Sequence, residues 1–70
     1  MELVDAMLEL LQDSHWHLLD EIRNHFSLSE RGCKKLIYHL EEIGFIKVDD
    51  DKKRAKIRTL GLKFLELPPE

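Results

Sequence analysis

Two short runs of this chain hold most of the side chains that can engage an anion. Arg31, Lys34, Lys35 and Tyr38 fall within one stretch of eight residues, and Lys52, Lys53, Arg54 and Lys56 within one of five. Lysine and arginine donate hydrogen bonds to phosphate oxygens or to the O6/N7 edge of guanine, and a phenol bonds a phosphate. The spacing of the first run matters as much as its composition. At about 100° per residue along a helix, Arg31, Lys34, Lys35 and Tyr38 share one side, and Cys33, Leu36, Ile37 and Leu40 take the other. An exposed helix face is commonly rich in lysine and arginine for solubility alone, so the elements around the run must decide what it does. Glu41 and Glu42 end it, because carboxylates repel phosphate.

Other chemistries find little support. Cys33 lies on the apolar stripe and reads as a small core residue rather than a redox group. A zinc site needs three or four convergent ligands. One cysteine with His15, His17, His25 and His39 scattered along the chain does not supply that spacing. There is no glycine-rich phosphate loop and no nucleophile in a catalytic motif. Asp20-Glu21 suits the positive end of a helix dipole better than an acid/base couple. The expectation is a protein that is not an enzyme and carries no metal, no cofactor and no evident small-molecule ligand.

The net charge of −3 is unusual for a nucleic-acid binder, which is as a rule basic. The charge is unevenly placed. Residues 1–30 hold seven acids against Arg23 alone, a balance of −6, and residues 31–70 hold ten bases against seven acids, a balance of +3. Local field steers a partner more than the total does. Seventy residues suit one domain spanning 1–70, with a core that supplies only about 3–5 kcal/mol. No apolar run approaches the ~18 residues of a membrane span. The start is acidic rather than signal-like, and the lone cysteine cannot form an internal disulfide. A soluble, cytoplasmic protein without membrane attachment is expected.

The elements that must position the two basic runs follow from periodicity. Leu3, Val4, Met7, Leu8, Leu10 and Leu11 predict a helix over 2–12. Trp16-His17-Leu18 has room for a very short strand. Leu19, Ile22 and Phe26 predict a helix over 19–26, although Leu18 stands where a capping Ser, Thr or Asp is expected. Ser27-Leu28-Ser29 is a turn, with Ser29 the cap of a third helix running to about Ile43 and Gly44 its left-handed stop. Phe45–Val48 and Ala55–Arg58 predict two strands around the polar turn Asp49–Lys53, whose carboxylates suit turn positions or pairing with nearby lysines. Thr59 caps a last helix over 60–67, ended by Pro68-Pro69. The fold class is mainly α with a small β-hairpin, in the order helix, short strand, helix, helix, hairpin, helix.

The stretch Leu28-Ser29-Glu30-Arg31-Gly32-Cys33-Lys34-Lys35-Leu36-Ile37-Tyr38-His39-Leu40-Glu41-Glu42-Ile43-Gly44-Phe45-Ile46 resembles the winged helix-turn-helix transcriptional regulators of archaea and bacteria, in the broad MarR/ArsR-like sense. The shared pattern is Leu-Ser, a recognition helix ending Leu-Glu-x-x-Gly, and an apolar pair opening the wing. Thr59-Leu60-Gly61 is similar to the Thr-x-x-Gly that opens the family's last helix, one residue shorter. Gly32 departs from the Thr or Ser often found there. The resemblance implies double-stranded DNA as partner, with the recognition helix (about 29–43) in the major groove and the wing (about 45–58) on the flanking backbone. The contact residues are then Ser29, Arg31, Lys34, Lys35, Tyr38, Lys52, Lys53, Arg54 and Lys56. The resemblance equally permits a protein-interaction module in a larger assembly, a reading that the acidic first helix favours.

A homodimer is expected through the terminal helices. In the last one, Leu60, Phe64 and Leu67 form one stripe that can cover the core. Leu62 and Leu65 then point away from it and offer a partner surface. A two-fold dimer would present two recognition helices about 34–36 Å apart.

Overall fold

A computed structural model describes residues 2–68. Four helices and three strands follow one another as α1 (Glu2–Leu10), β1 (His17–Leu18), α2 (Leu19–His25), α3 (Glu30–Glu42), β2 (Ile46–Val48), β3 (Arg54–Ile57) and α4 (Thr59–Phe64). The strands form one antiparallel sheet in the order β1-β3-β2, so the last strand in sequence is the middle one in space. The expected hairpin is thus part of a three-stranded sheet, and β1 is real because residues 54–55 come back to pair with it. His17 lies opposite Ala55 and Leu18 opposite Arg54. On the other side of β3, Ile46 pairs with Ile57, Lys47 with Lys56 and Val48 with Ala55.

Because strand side chains alternate between faces, this register sorts the sheet cleanly. Ile46, Ala55 and Ile57 point inward and are buried, while Lys47 and Arg54 are exposed on the other face and Lys56 is half-buried there. The inward face packs on Val4, Met7, Leu8 and Leu11 of α1 and the turn after it, on Ile22 of α2, and on Cys33, Ile37 and Leu40 of α3. Each large apolar side chain buried this way contributes about 1.5–3 kcal/mol, and among the described residues none that is buried is polar or charged. Among the described residues no helix is long and apolar enough to cross a membrane.

The helix ends explain how so short a chain turns so often. Ser29 caps α3, its Oγ accepting a hydrogen bond from the Gly32 amide at 3.0 Å. Leu18 caps α2 without a side-chain bond. The Leu19 amide, one of the first-turn donors without a partner in the helix, is satisfied by the sheet, donating to the Lys53 carbonyl at 2.8 Å. Helices α2, α3 and α4 all close with the same pair of bonds. In α3 the amides of Gly44 and Phe45 donate to the carbonyls of Glu41 and Leu40. The left-handed residues that allow this closure are Ser27, Gly44 and Glu66.

The last helix differs from expectation in length and rotation. It starts at Thr59, with Arg58 as its cap, and stops at Phe64. The amides of Glu66 and Leu67 close it, and Pro68 cannot extend it. Leu62 is buried at 4% exposure and Leu65 packs against the core, whereas Leu60 and Phe64 are 48% and 47% exposed. Leu62 and Leu65 are therefore core residues and not an outward partner surface. The cause is Gly61. A β-carbon there would lie 2.5 Å from the Phe45 carbonyl oxygen and 2.8 Å from Ile57 Cγ1. The helix approaches β2 and β3 through its one residue without a side chain, and this turns Leu62 and Leu65 inward. Phe64 instead packs on Phe45 with the rings tilted by 41° and their centroids 5.0 Å apart, and with Ile43 and Leu60 leaves an exposed apolar patch at this end.

Candidate nucleic-acid interface

The outer face of α3 and the tip of the β2–β3 hairpin form the two walls of a groove of about 820 Å³. Lys34, Lys35 and Tyr38 come from α3, and Lys52 and Lys53 from the hairpin. Helical periodicity puts the first three on one side. Their wall is held upright because Cys33, Ile37 and Leu40 on the inner side of α3 are buried at its base. Tyr38 is 70% exposed, far more than packing requires of a large ring. Leu19, Cys33, Ile37 and Val48 supply apolar floor. Arg23 of α2 joins the lining. It lies four residues from Leu19 and so on the side of α2 that borders the groove, which is the signal that sequence reading passed over. Asp20, Glu30 and Glu41 line it as well, so five cations face three carboxylates. Arg23 is 3.9 Å from Asp20. Among the described residues the four lysines have no carboxylate within 4 Å.

The hairpin turn is built by Asp49. Its carboxylate accepts from the amides of Lys53 (2.8 Å) and Arg54 (3.1 Å). These bonds hold its carboxyl below the usual carboxylate range. Asp49 therefore bonds backbone rather than pairing with a lysine side chain, and it fixes the direction in which Lys52 and Lys53 leave the sheet. Lys52 takes a left-handed conformation at the tip.

The remaining expected contact residues lie elsewhere. Ser29 is committed to the α3 cap and does not line the groove. Arg31 is exposed on α3 outside it, and Arg54 and Lys56 lie on the outward face of the sheet. There Lys56 meets two residues not counted among the contact set. Its Nζ lies 5.9 Å from the centre of the Trp16 ring, and Nζ of Lys47 lies 5.8 Å from the same ring.

A second cluster went unread because its members straddle a strand. His17 sits between two carboxylates, Nε2 at 2.9 Å from Asp13 and Nδ1 at 2.9 Å from Glu21. Partial burial disfavours a charged ring. The hydrogen bonds and charges of both carboxylates outweigh it and raise the His17 pKa above its ordinary 6.5. The bond from His17, joined by one from the His15 amide, lowers the Asp13 pKa below 3.8. The cluster ties the loop after α1 to the first turn of α2. Both ring nitrogens are occupied, and among the described residues no group of His, Cys, Asp and Glu is placed to hold a metal. Burial pushes the Cys33 thiol up, away from thiolate chemistry.

Known protein families, curated proteins and solved structures, searched in turn, contain no match to this chain.

Proposed function

We propose that this chain is a winged helix-turn-helix module that binds double-stranded DNA and regulates transcription. In this reading α2 and α3 are the helix-turn-helix, α3 lies in the major groove, and the β2–β3 hairpin is the wing on the flanking backbone. The supporting observation is the groove with lysines on both walls, Lys34 and Lys35 facing Lys52 and Lys53. A backbone strand seated between α3 and the hairpin meets cations from two sides. A duplex there brings the exposed Tyr38 within reach of phosphate and Arg31 toward the flanking backbone. The acidic α1 lies outside this groove, so the overall charge of −3 does not oppose docking locally.

The test is duplex binding at several salt concentrations. Lys34→Gln/Lys35→Gln and Lys52→Gln/Lys53→Gln should each flatten the log K against log[salt] slope by about 1.8, two phosphates' worth of released counterions. If wild-type protein at low salt fails to bind mixed-sequence duplex, the reading is wrong. The apolar patch of Ile43, Leu60 and Phe64 favours a second reading, a module that docks on another protein. Pull-down by a defined partner that is lost in Phe64→Lys, with duplex binding absent, would establish that one instead.

A further inference from the structure

The outward face of the sheet carries a second cationic surface that the groove does not use. Arg54, Lys56 and Arg58 alternate along β3 and its end, Lys47 lies directly opposite Lys56 on β2, and none of the four lines the groove. The strands hold no acidic residue. Among the described residues no carboxylate comes within 4 Å of any of these four cations. Like charges directly opposite on neighbouring strands are unfavourable, so the Lys47–Lys56 pair has a standing demand for a counter-charge. Among the described residues the two ammonium groups lie against the face of Trp16, 5.8 and 5.9 Å from its centre. Trp16 is 41% exposed, although an indole body ordinarily gains from burial.

We propose that this face binds single-stranded nucleic acid, with the cations on successive phosphates and the exposed part of Trp16 against a base. The observations favour that occupant over a simple anion. Alternate residues of a strand recur every ~6.6–6.8 Å, a spacing that follows a polymer of phosphates rather than one ion. An exposed aromatic ring amid backbone-tracking cations is the combination by which sheet surfaces hold single strands. The site is separate from the duplex groove and does not rest on it.

Trp16 is the chain's single tryptophan, so its emission reads the site directly. Titration of the intact protein with a short oligo(dT) at low salt should quench Trp16. The wild-type log K against log[salt] slope should be at least about 2, from up to four phosphates at ~0.7 each. Lys47→Gln/Lys56→Gln should flatten that slope by about 1.4, and Lys47→Arg/Lys56→Arg should retain it. With labelled oligo(dT) and anisotropy as readout, Trp16→Leu should weaken binding at least about fivefold. Lys34→Gln/Lys35→Gln should weaken duplex binding and leave oligo(dT) affinity unchanged, which separates failure here from failure of the groove. Far-UV circular dichroism checks that each variant is folded, and the wild-type slope stands whatever the variants do. Three results overturn the proposal: no oligo(dT) binding by wild type, loss of it in the Lys34/Lys35 variant instead of the Lys47/Lys56 variant, or equal quenching by poly-glutamate.

Discussion

Replacing Gly61 by alanine adds one methyl group to a surface with no room for it. The new β-carbon would lie 2.5 Å from the Phe45 carbonyl oxygen and 2.8 Å from Ile57 Cγ1. Neither neighbour can step aside cheaply. The Phe45 carbonyl accepts the Arg58 amide at 2.9 Å, joining the start of β2 to the end of β3. Ile57 is buried in the sheet's inner face. Overpacking of this kind costs about 1–3 kcal/mol. Alanine returns at most about 1 kcal/mol of helix propensity, and less near the first turn where Gly61 sits. A net loss of about 1–2 kcal/mol from a domain holding about 3–5 kcal/mol should lower Tm by roughly 5–15 °C. Thermal melts followed at 222 nm measure it. Gly32→Ala is the control: its new methyl meets no backbone and no buried side chain, only the Ser29 Oγ that caps α3, at 3.0 Å. At most the roughly 1 kcal/mol of that cap is at stake, with helix propensity offsetting it, so its Tm should move less. An alanine at 61 that melts at or above the wild-type temperature would refute the close approach as the constraint that orients α4.

Other consequences can be checked alongside. His17, with its pKa raised above 6.5, contributes stability that is full below pH 6.5 and lost as pH rises through the folded-state value. Asp13, lowered below 3.8, contributes stability above 3.8 that is lost as pH falls through its folded value. The urea midpoint should therefore decline on the alkaline side of 6.5, and His17→Leu should remove that decline; a wild-type midpoint that stays flat there contradicts the bracketed ring. Ser29→Ala should cost about 1 kcal/mol through loss of the α3 cap, while duplex affinity of the folded variant stays unchanged. Leu62→Lys should unfold the domain, whereas Phe64→Lys should fold. Sedimentation equilibrium of wild type and Phe64→Lys tests the exposed Ile43–Leu60–Phe64 patch as a contact between two copies of the chain: a dimer lost in the variant places the contact there, and an unchanged mass refutes it.

What the sequence revealed and what it hid divide along a physical line. Helix α3 was legible because its periodicity, its Ser29 cap and the Gly44 stop agree locally, and the side that carries Lys34, Lys35 and Tyr38 follows from that one element. Strand β1 was barely legible, since two residues carry no pattern and exist as strand only through partners more than thirty positions away. The rotation of α4 was misread because the densest apolar stripe looked like the buried one. The deciding feature was a glycine, which contributes nothing to hydrophobic periodicity. The hairpin cations divide between two faces for a similar reason. Residue alternation places Lys52 and Lys53 at the tip but sends Arg54 and Lys56 to another face, and Trp16 reaches that face only through the sheet.

The strand order has a bearing on how this chain is made. The middle strand, Arg54–Ile57, leaves the ribosome after both of its neighbours, so neither β1 nor β2 has a native partner until it emerges. Their unpaired amides and carbonyls are the kind of edge that recruits strands from other chains. At two and three residues each is too short to hold a foreign strand, well below the usual five or six. A nascent chain stalled before residue 54 would expose the apolar faces of three helices with no sheet to cover them. The sheet closes in one step, when four residues fill the gap between two waiting edges.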